Sequence, residues 1–270
     1  KAANENASAV GYGNNAGGVA SSAFGFSNVA KVDYASAFGY SNEASGLASS
    51  AVGFRNKAAS ENASAVGYGN NANALAASAV GYNNTAGGVG SSTIGYNNTA
   101  TNENASAFGY GNTAGGLASS AFGFSNTASG DNANAFGYNN IASGSKSNVF
   151  GTGNTVSGSS SNAVGTANEV AAENSTAIGN NNTISSGAEN SAALGNNISI
   201  SLKDSVALGN NSTATAINSV TGNSSYTKWA GVSDVVGVVS VGSSGATRQI
   251  QNVAAGQVSA TSTDAVNGSQ

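Results

Sequence analysis

Glycine returns in this chain every 14 residues, and that interval constrains the fold more than any other feature. It stands at Gly11, Gly25, Gly39, Gly53, Gly67, Gly81, Gly95, Gly109, Gly123, Gly137, Gly151, Gly165 and Gly179, then 16 residues on at Gly195 and 14 further at Gly209, making 15 units. A Val, Ile, Leu or Phe (written Φ) precedes each one, mostly with Ala before it. Asn follows three residues later from Asn14 to Asn182, and two beyond that comes Ala, or late in the chain Val or Ile. The stretch ENASAVGYGNNA occurs unchanged at Glu5–Ala16 and Glu61–Ala72, with LASSAVGFRNKA at Leu47–Ala58 between them. Helical repeats need roughly 33 residues or more, so this period excludes them.

Alternation within ASAVGY reads as a strand, with Ala7, Ala9 and Gly11 on one face and Ser8, Val10 and Tyr12 on the other. A second short strand is expected around the x-N-x-A segment, with Gly, Asn and Ser at the turns. Two strands and two turns use up the repeat. Each unit is therefore one coil of an all-β, two-walled solenoid, and 15 coils about 4.8 Å apart make a rod of roughly 70 Å. The Ala/Gly face suits a narrow interior. The other face carries Val10, Phe24, Phe38, Val52, Val66, Val80, Ile94, Phe108, Phe122 and Phe136, with aromatic residues just past each Gly from Tyr12 to Tyr138. So long an apolar row is expected to be buried against other copies of the chain. The competing reading makes it the roll's own core.

Past Gly137 the aromatic gives way to Thr152, Thr166, Asn180, Asn196 and Asn210. The array thus divides into an aromatic zone, residues 1–142, and a polar zone, 143–214. Asn in successive coils is expected to form side-chain ladders rather than to hold a ligand.

Composition narrows the function. His and Cys are both absent, which removes Ser-His, Cys-His and zinc-water chemistry from this segment, and no cofactor or metal is implied. Most carboxylates share one repeat position (Glu5, Asp33, Glu61, Glu103, Asp131, Glu173, Glu189) with Val19, Leu47, Leu75 and Leu117, so they read as solvated or interface positions, not acid–base pairs. GYGNNAG lacks the phosphate-binding G-x-x-x-x-G-K-[ST]. Eight scattered basic residues and a net charge of −4 argue against nucleic acid. No apolar run approaches the roughly 20 residues of a spanning helix. N-x-S/T triplets such as Asn6–Ser8 and Asn104–Ser106 read as a by-product of a repeat built from Asn and Ser. Thr85, Thr99, Thr113 and Thr127 stand singly, without the paired rows of an ice-binding surface.

From about Ala216 the period fails. A segment with the single Trp229 and a Val-rich run, Val235–Val241, reads as a strand or hairpin, and ATRQIQNVAAGQVSATSTDAVNGSQ follows. Arg248–Gln270 closely resembles the neck of trimeric autotransporter adhesins, and the 14-residue units resemble the YadA-like head repeats of that family. The resemblance covers nearly the whole chain, and residues 215–247 resemble the inserts that some heads carry before the neck. It implies a left-handed parallel β-roll, a homotrimer, and a neck leading to a coiled-coil stalk. It further implies a non-enzymatic adhesin, secreted by the type V route, whose head sits far out on the bacterial surface and is held by an outer-membrane anchor beyond this fragment. The partners it implies are host matrix proteins or cells, or other bacteria through autoagglutination. The alternative is a spacer projecting another head. The family's NSVAIG-like collagen motif is matched loosely at Asn174, Ser175, Ile178 and Gly179, at Asn190, Ser191, Leu194 and Gly195, and at Ser205, Leu208 and Gly209. In the neck, Ala254, Ala255 and Gly256 suit close backbone approach, Thr263 or Asp264 can cap a helix begun at Ala265, and Arg248 is expected to meet a carboxylate or carbonyl of a neighbouring subunit.

Overall fold

The computed structural model describes residues 1–217 and 235–270; Trp229 and most of the segment read as an insert lie outside them. Each coil supplies a five-residue strand and a two-residue strand, Ser8–Tyr12 and Asn15–Ala16 in the first. Every strand pairs in parallel with its counterpart one coil on, so that Ala9 faces Ala23, Val10 faces Phe24 and Gly11 faces Gly25. The long strands build a 16-stranded sheet and the short ones a 15-stranded sheet. The described residues contain no helix. The 16-residue step keeps register too, Gly179 facing Gly195.

The interior between the sheets is one residue wide on each side. The long strands send in Ala23, Ala37, Ala51 and their successors, and the short strands Ala16, Ala30, Ala44 and theirs, all fully buried. From Val149 onward the lining widens to include Val156, Val170, Ile184, Ile198 and Ile200. The inner change thus falls where the outer aromatic column ends.

One corner of the roll is filled by asparagine. Asn14 to Asn182, one per coil, are buried, and each is tied to the next. The Nδ2 of Asn56, for example, donates to the Asn42 side chain at 3.0 Å, to its own coil's Val52 carbonyl at 2.9 Å and to the next coil's Gly67 carbonyl at 2.6 Å. Its Oδ1 accepts from the Asn70 backbone N–H at 2.9 Å. A buried amide this well partnered closes the corner without an orphaned polar group. Ile198 ends the column, its N–H still reaching Asn182 Oδ1 at 3.0 Å.

The repeat glycine is not part of the small inner face expected from alternation. Gly25 and Gly39 are exposed, with φ of 117°. At that φ the chain turns out of the pleat, so alternation ends at the glycine and only Ala enters the core.

Two further positions per coil are left-handed. One lies two residues past the glycine and is filled by Asn83 and Asn97 but also by Arg55; the other lies five before it and is filled by Asn62 and Asn104 but also by Tyr34 and Ala48. Asn tolerates this region and Ala and Tyr do not. Replacing Tyr34 (φ 61°) or Ala48 (φ 53°) by Asn is therefore expected to stabilise the roll. A gain of about 0.5–1 kcal/mol per site, read as a raised thermal midpoint, is the anticipated size.

At the C-terminal end, the Val-rich run does not stand apart as a hairpin. Val239–Ser240 adds the sixteenth strand of the long sheet, Val239 facing Val206 and Ser240 facing Ala207. Val238 packs on the core and its N–H reaches Ser205 Oγ at 3.1 Å. Only the short turn after it is antiparallel, Ser243 bridging Ala246. Arg248 closes this end on its own chain, donating to the Val241 carbonyl at 2.7 Å, to Ser212 Oγ at 3.3 Å and to the Asn210 carbonyl. Its guanidinium lies against Gly209, where a Cβ would stand 3.1 Å from Cζ. Arg248→Ala should raise hydrogen exchange at Val239–Ser240 several-fold and leave the first ten coils unchanged, since coupling in a solenoid is between neighbours.

The helix expected from Ala265 does not form in this chain. Asp264, offered as its cap, instead accepts the Gln257 N–H at 3.0 Å. Gln270 folds back to bond both backbone groups of Gly256, its Oε1 accepting at 3.0 Å and its Nε2 donating at 2.6 Å. Without a packing surface to favour the helix, side-chain to backbone bonds take its place.

Candidate interaction surface

The outer face of the long sheet carries the Φ residues in one unbroken column. Val10, Phe38, Val52, Val66 and Ile94 are 37–56% exposed, and Phe24, Val80, Phe108, Phe122 and Phe136 are half-buried by their neighbours in the column. None enters the interior, so the column is not the roll's own core. It continues through Phe150, Val164, Ile178 and Leu194 in the polar zone. Where phenylalanines adjoin they stack, Phe108, Phe122, Phe136 and Phe150 at 4.7–5.1 Å between ring centres.

Beside it, past the glycine column, runs a second apolar row. Tyr12, Phe26, Tyr40, Phe54, Tyr68, Tyr82, Tyr96, Tyr110, Phe124 and Tyr138 form a single stack of ten rings with centres 4.7–5.3 Å apart. Register alone places them so, because strand spacing and ring-stacking distance nearly coincide. The ring faces are consumed by the stack, and the ring edges meet solvent. Below Tyr138 the column continues through Thr152 and Thr166 and then as an amide ladder, Asn180 donating to Asn196 at 2.8 Å.

The collagen-motif positions separate into two sets. Ser175, Ser191 and Ser205 are buried and form a ladder of their own, each Oγ accepting the next coil's N–H at 3.1 Å. They hold the roll together and face no ligand. Asn174 and Asn190 sit on exposed corners, Ile178 and Leu194 lie on the outer face, Leu208 is half-buried, and Gly179, Gly195 and Gly209 carry the turn. The serine ladder escapes a reading by motif; its signal is the recurrence of Ser two residues before the core Ala at Ser161, Ser175, Ser191 and Ser205.

At the carboxylate corner, Asp33 accepts the Val19 N–H at 2.7 Å and Asp131 the Leu117 N–H at 2.9 Å, each reaching back one coil. Through Asp131, Val and Leu keep these carboxylates at least two rungs, roughly 10 Å, apart, about one Debye length at physiological salt, whereas Glu173 and Glu189 stand on adjacent rungs. Among the described residues no three Asp or Glu side chains converge as a metal site requires.

A profile described as the YadA head domain repeat (two copies) matches residues 16–42, 33–56, 44–70, 86–112, 114–140, 157–182 and 203–220, together more than half of the chain. Each full match spans two coils. A comparison with curated proteins finds no match. Among solved structures, the C-terminal YadA-like domain of a Burkholderia pseudomallei protein is similar at 28% identity over 43% of this chain and 46% of that one, with a TM-score of 0.27. The likeness therefore spans less than half of either chain.

Proposed function

Because the chain belongs to the family of YadA head domain repeats, we propose that it is the head of a homotrimeric surface adhesin whose outer Φ column is the seam between subunits. The single observation that carries the seam is an apolar column on the outside of the roll that none of the described residues covers. Energetics favour the same reading. In the first ten coils the interior columns consist mostly of alanine methyls, each worth about 0.8 kcal/mol, whereas covering the rest of a half-exposed Phe adds a comparable amount at every rung.

In this reading residues 1–214 are the head, 215–247 an insert whose last strand rejoins the roll, and 248–270 the neck that leads to a coiled-coil stalk. The neck's fold-back in the single chain is then the state before its partners arrive. The protein is non-enzymatic and lies at the bacterial surface, held there by an outer-membrane anchor. Its partners are host matrix proteins or cell surfaces, with autoagglutination as a further use of the same repetitive surface. For collagen, the outer face at Ile178 and Leu194 and the corners at Asn174 and Asn190 are the reachable groups.

Binding of the purified trimer to immobilised collagen, fibronectin, laminin and whole cells tests the adhesive role. Saturable binding to one of these is expected, and lack of binding to all would leave the head a spacer. The seam has its own test. Phe108 lies on the outer face, so Phe108→Asp should dissociate the trimer into folded monomers; loss of the fold together with the trimer would place the column in the core instead.

A further inference from the structure

The outer face of the long sheet is three columns wide, and the Φ column is its middle. On one flank stands the residue that opens each long strand, Ser8 to Ser120 through the first nine coils, half-buried from Ser22 on. On the other flank, past the glycine, stands the residue that closes it, the member of the aromatic stack. Each flank is in register with itself along the rod, Ser64 facing Ser78 and Tyr68 facing Tyr82.

The two flanks change together. In those nine coils a serine opens every strand that a ring closes. In the two coils after Tyr138 the ring gives way to Thr152 and Thr166, and the opening residue grows to Asn148 and Asn162. One coil further the pair is exchanged, Thr176 opening and Asn180 closing. The boundary coil, Asn134 with Tyr138, is the one place where an amide and a ring share a strand. Bulk lost on one flank is thus regained on the other. Yet the flanks lie four residues apart on a strand, roughly 13 Å, with the Φ side chain between them, so the compensation has no use within one chain.

We propose that the flanks meet across each subunit boundary, the closing column of one roll seated on the opening column of the next. This rests on the trimeric reading of the head. A three-fold axis along the rod brings unlike edges together, because each subunit offers one edge to one neighbour and the other edge to the second. The Φ columns then line the axis. The chemistry of the two flanks matches this arrangement. Stacking consumes the ring faces and leaves the edges, which carry the positive end of the ring quadrupole, and the opening column offers serine oxygens with little bulk. In the polar coils amides meet hydroxyls instead. The change of zone also fixes the height of one roll against the next, since a uniform array would pair equally well after a slip of one coil.

The chain has no Cys, so introduced thiols report the contact cleanly. Ser64→Cys and Tyr68→Cys, singly and together in the full chain, are treated with a thiol cross-linker shorter than their separation along the strand. The double variant should run as a covalent trimer on a denaturing gel, and each single variant as a monomer. Asn148→Cys with Thr152→Cys, which disturbs no ring, should behave in the same way. A chain that sediments as a trimer while neither pair links would overturn the pairing and leave the seam standing. So would linking by Ser64→Cys or Tyr68→Cys alone, which would mean that like columns meet. A wild-type chain that sediments as a folded monomer would instead overturn the trimeric reading, and the pairing with it.

Discussion

Asn98→Ala is expected to break the roll at its middle. The side chain donates to the carbonyls of Ile94 at 3.1 Å and Gly109 at 2.8 Å, and accepts from the Asn112 N–H at 3.0 Å. Removing it leaves the Asn112 N–H without a partner and takes one hydrogen bond each from the Ile94 and Gly109 carbonyls, in a corner closed to water. One orphaned group at about 1–3 kcal/mol and two lost hydrogen bonds at about 0.5–1.5 kcal/mol each put the loss on the order of 2–6 kcal/mol. Because neighbouring coils stabilise one another and nothing else, the damage should spread outward from coil to coil. Hydrogen exchange should accelerate first around residues 84–112. Asn180→Ala removes an equally regular hydrogen bond, to Asn196 at 2.8 Å, but on the exposed surface. It should cost about 0.5 kcal/mol or less.

Gly95→Ala should be as damaging for a different reason. A Cβ there would lie 2.1 Å from the Gly109 carbonyl oxygen, and the backbone holds φ at 121°. Neither the contact nor the dihedral can relax alone, since the oxygen belongs to the next rung of a parallel ladder. Overpacking and strain together should exceed about 4 kcal/mol, enough to prevent soluble folding. Gly153→Ala provides the contrast. Its φ is 63°, where Asn and even Ser stand in other coils, and nothing lies within 4 Å of its added Cβ. About 1 kcal/mol, the ordinary cost of Ala in the left-handed region, is expected.

The coil, its two strands and its register were legible in the sequence because a strict period places identical residues on adjacent rungs, so one correct unit predicts all 15. Asn ladders were expected from the same logic in the polar zone, and the structure adds the buried column from Asn14 to Asn182. What escaped was whatever depends on a dihedral or on a partner far along the chain. Strict alternation put Gly11 inside, and its φ of 108° puts it outside. Val239–Ser240 is a rung of the roll although 33 residues separate Val239 from Val206, too far for a period-based reading to join them. The helix from Ala265 failed because capping residues find other backbone groups when no packing surface favours the helical one. Of the motif-like residues, Ser175, Ser191 and Ser205 proved internal for the same reason that the Asn column is internal: a small polar residue repeated in register finds its best partner in its own copy one coil away.

The central claim is that the uncovered Φ column makes this roll one third of a head. Sedimentation equilibrium on the purified chain tests it most directly. The account predicts a species of three times 25.9 kDa that persists at micromolar concentration and falls to a folded 25.9 kDa species in Phe108→Asp. A wild-type chain that remains a folded 25.9 kDa monomer across that range would contradict it.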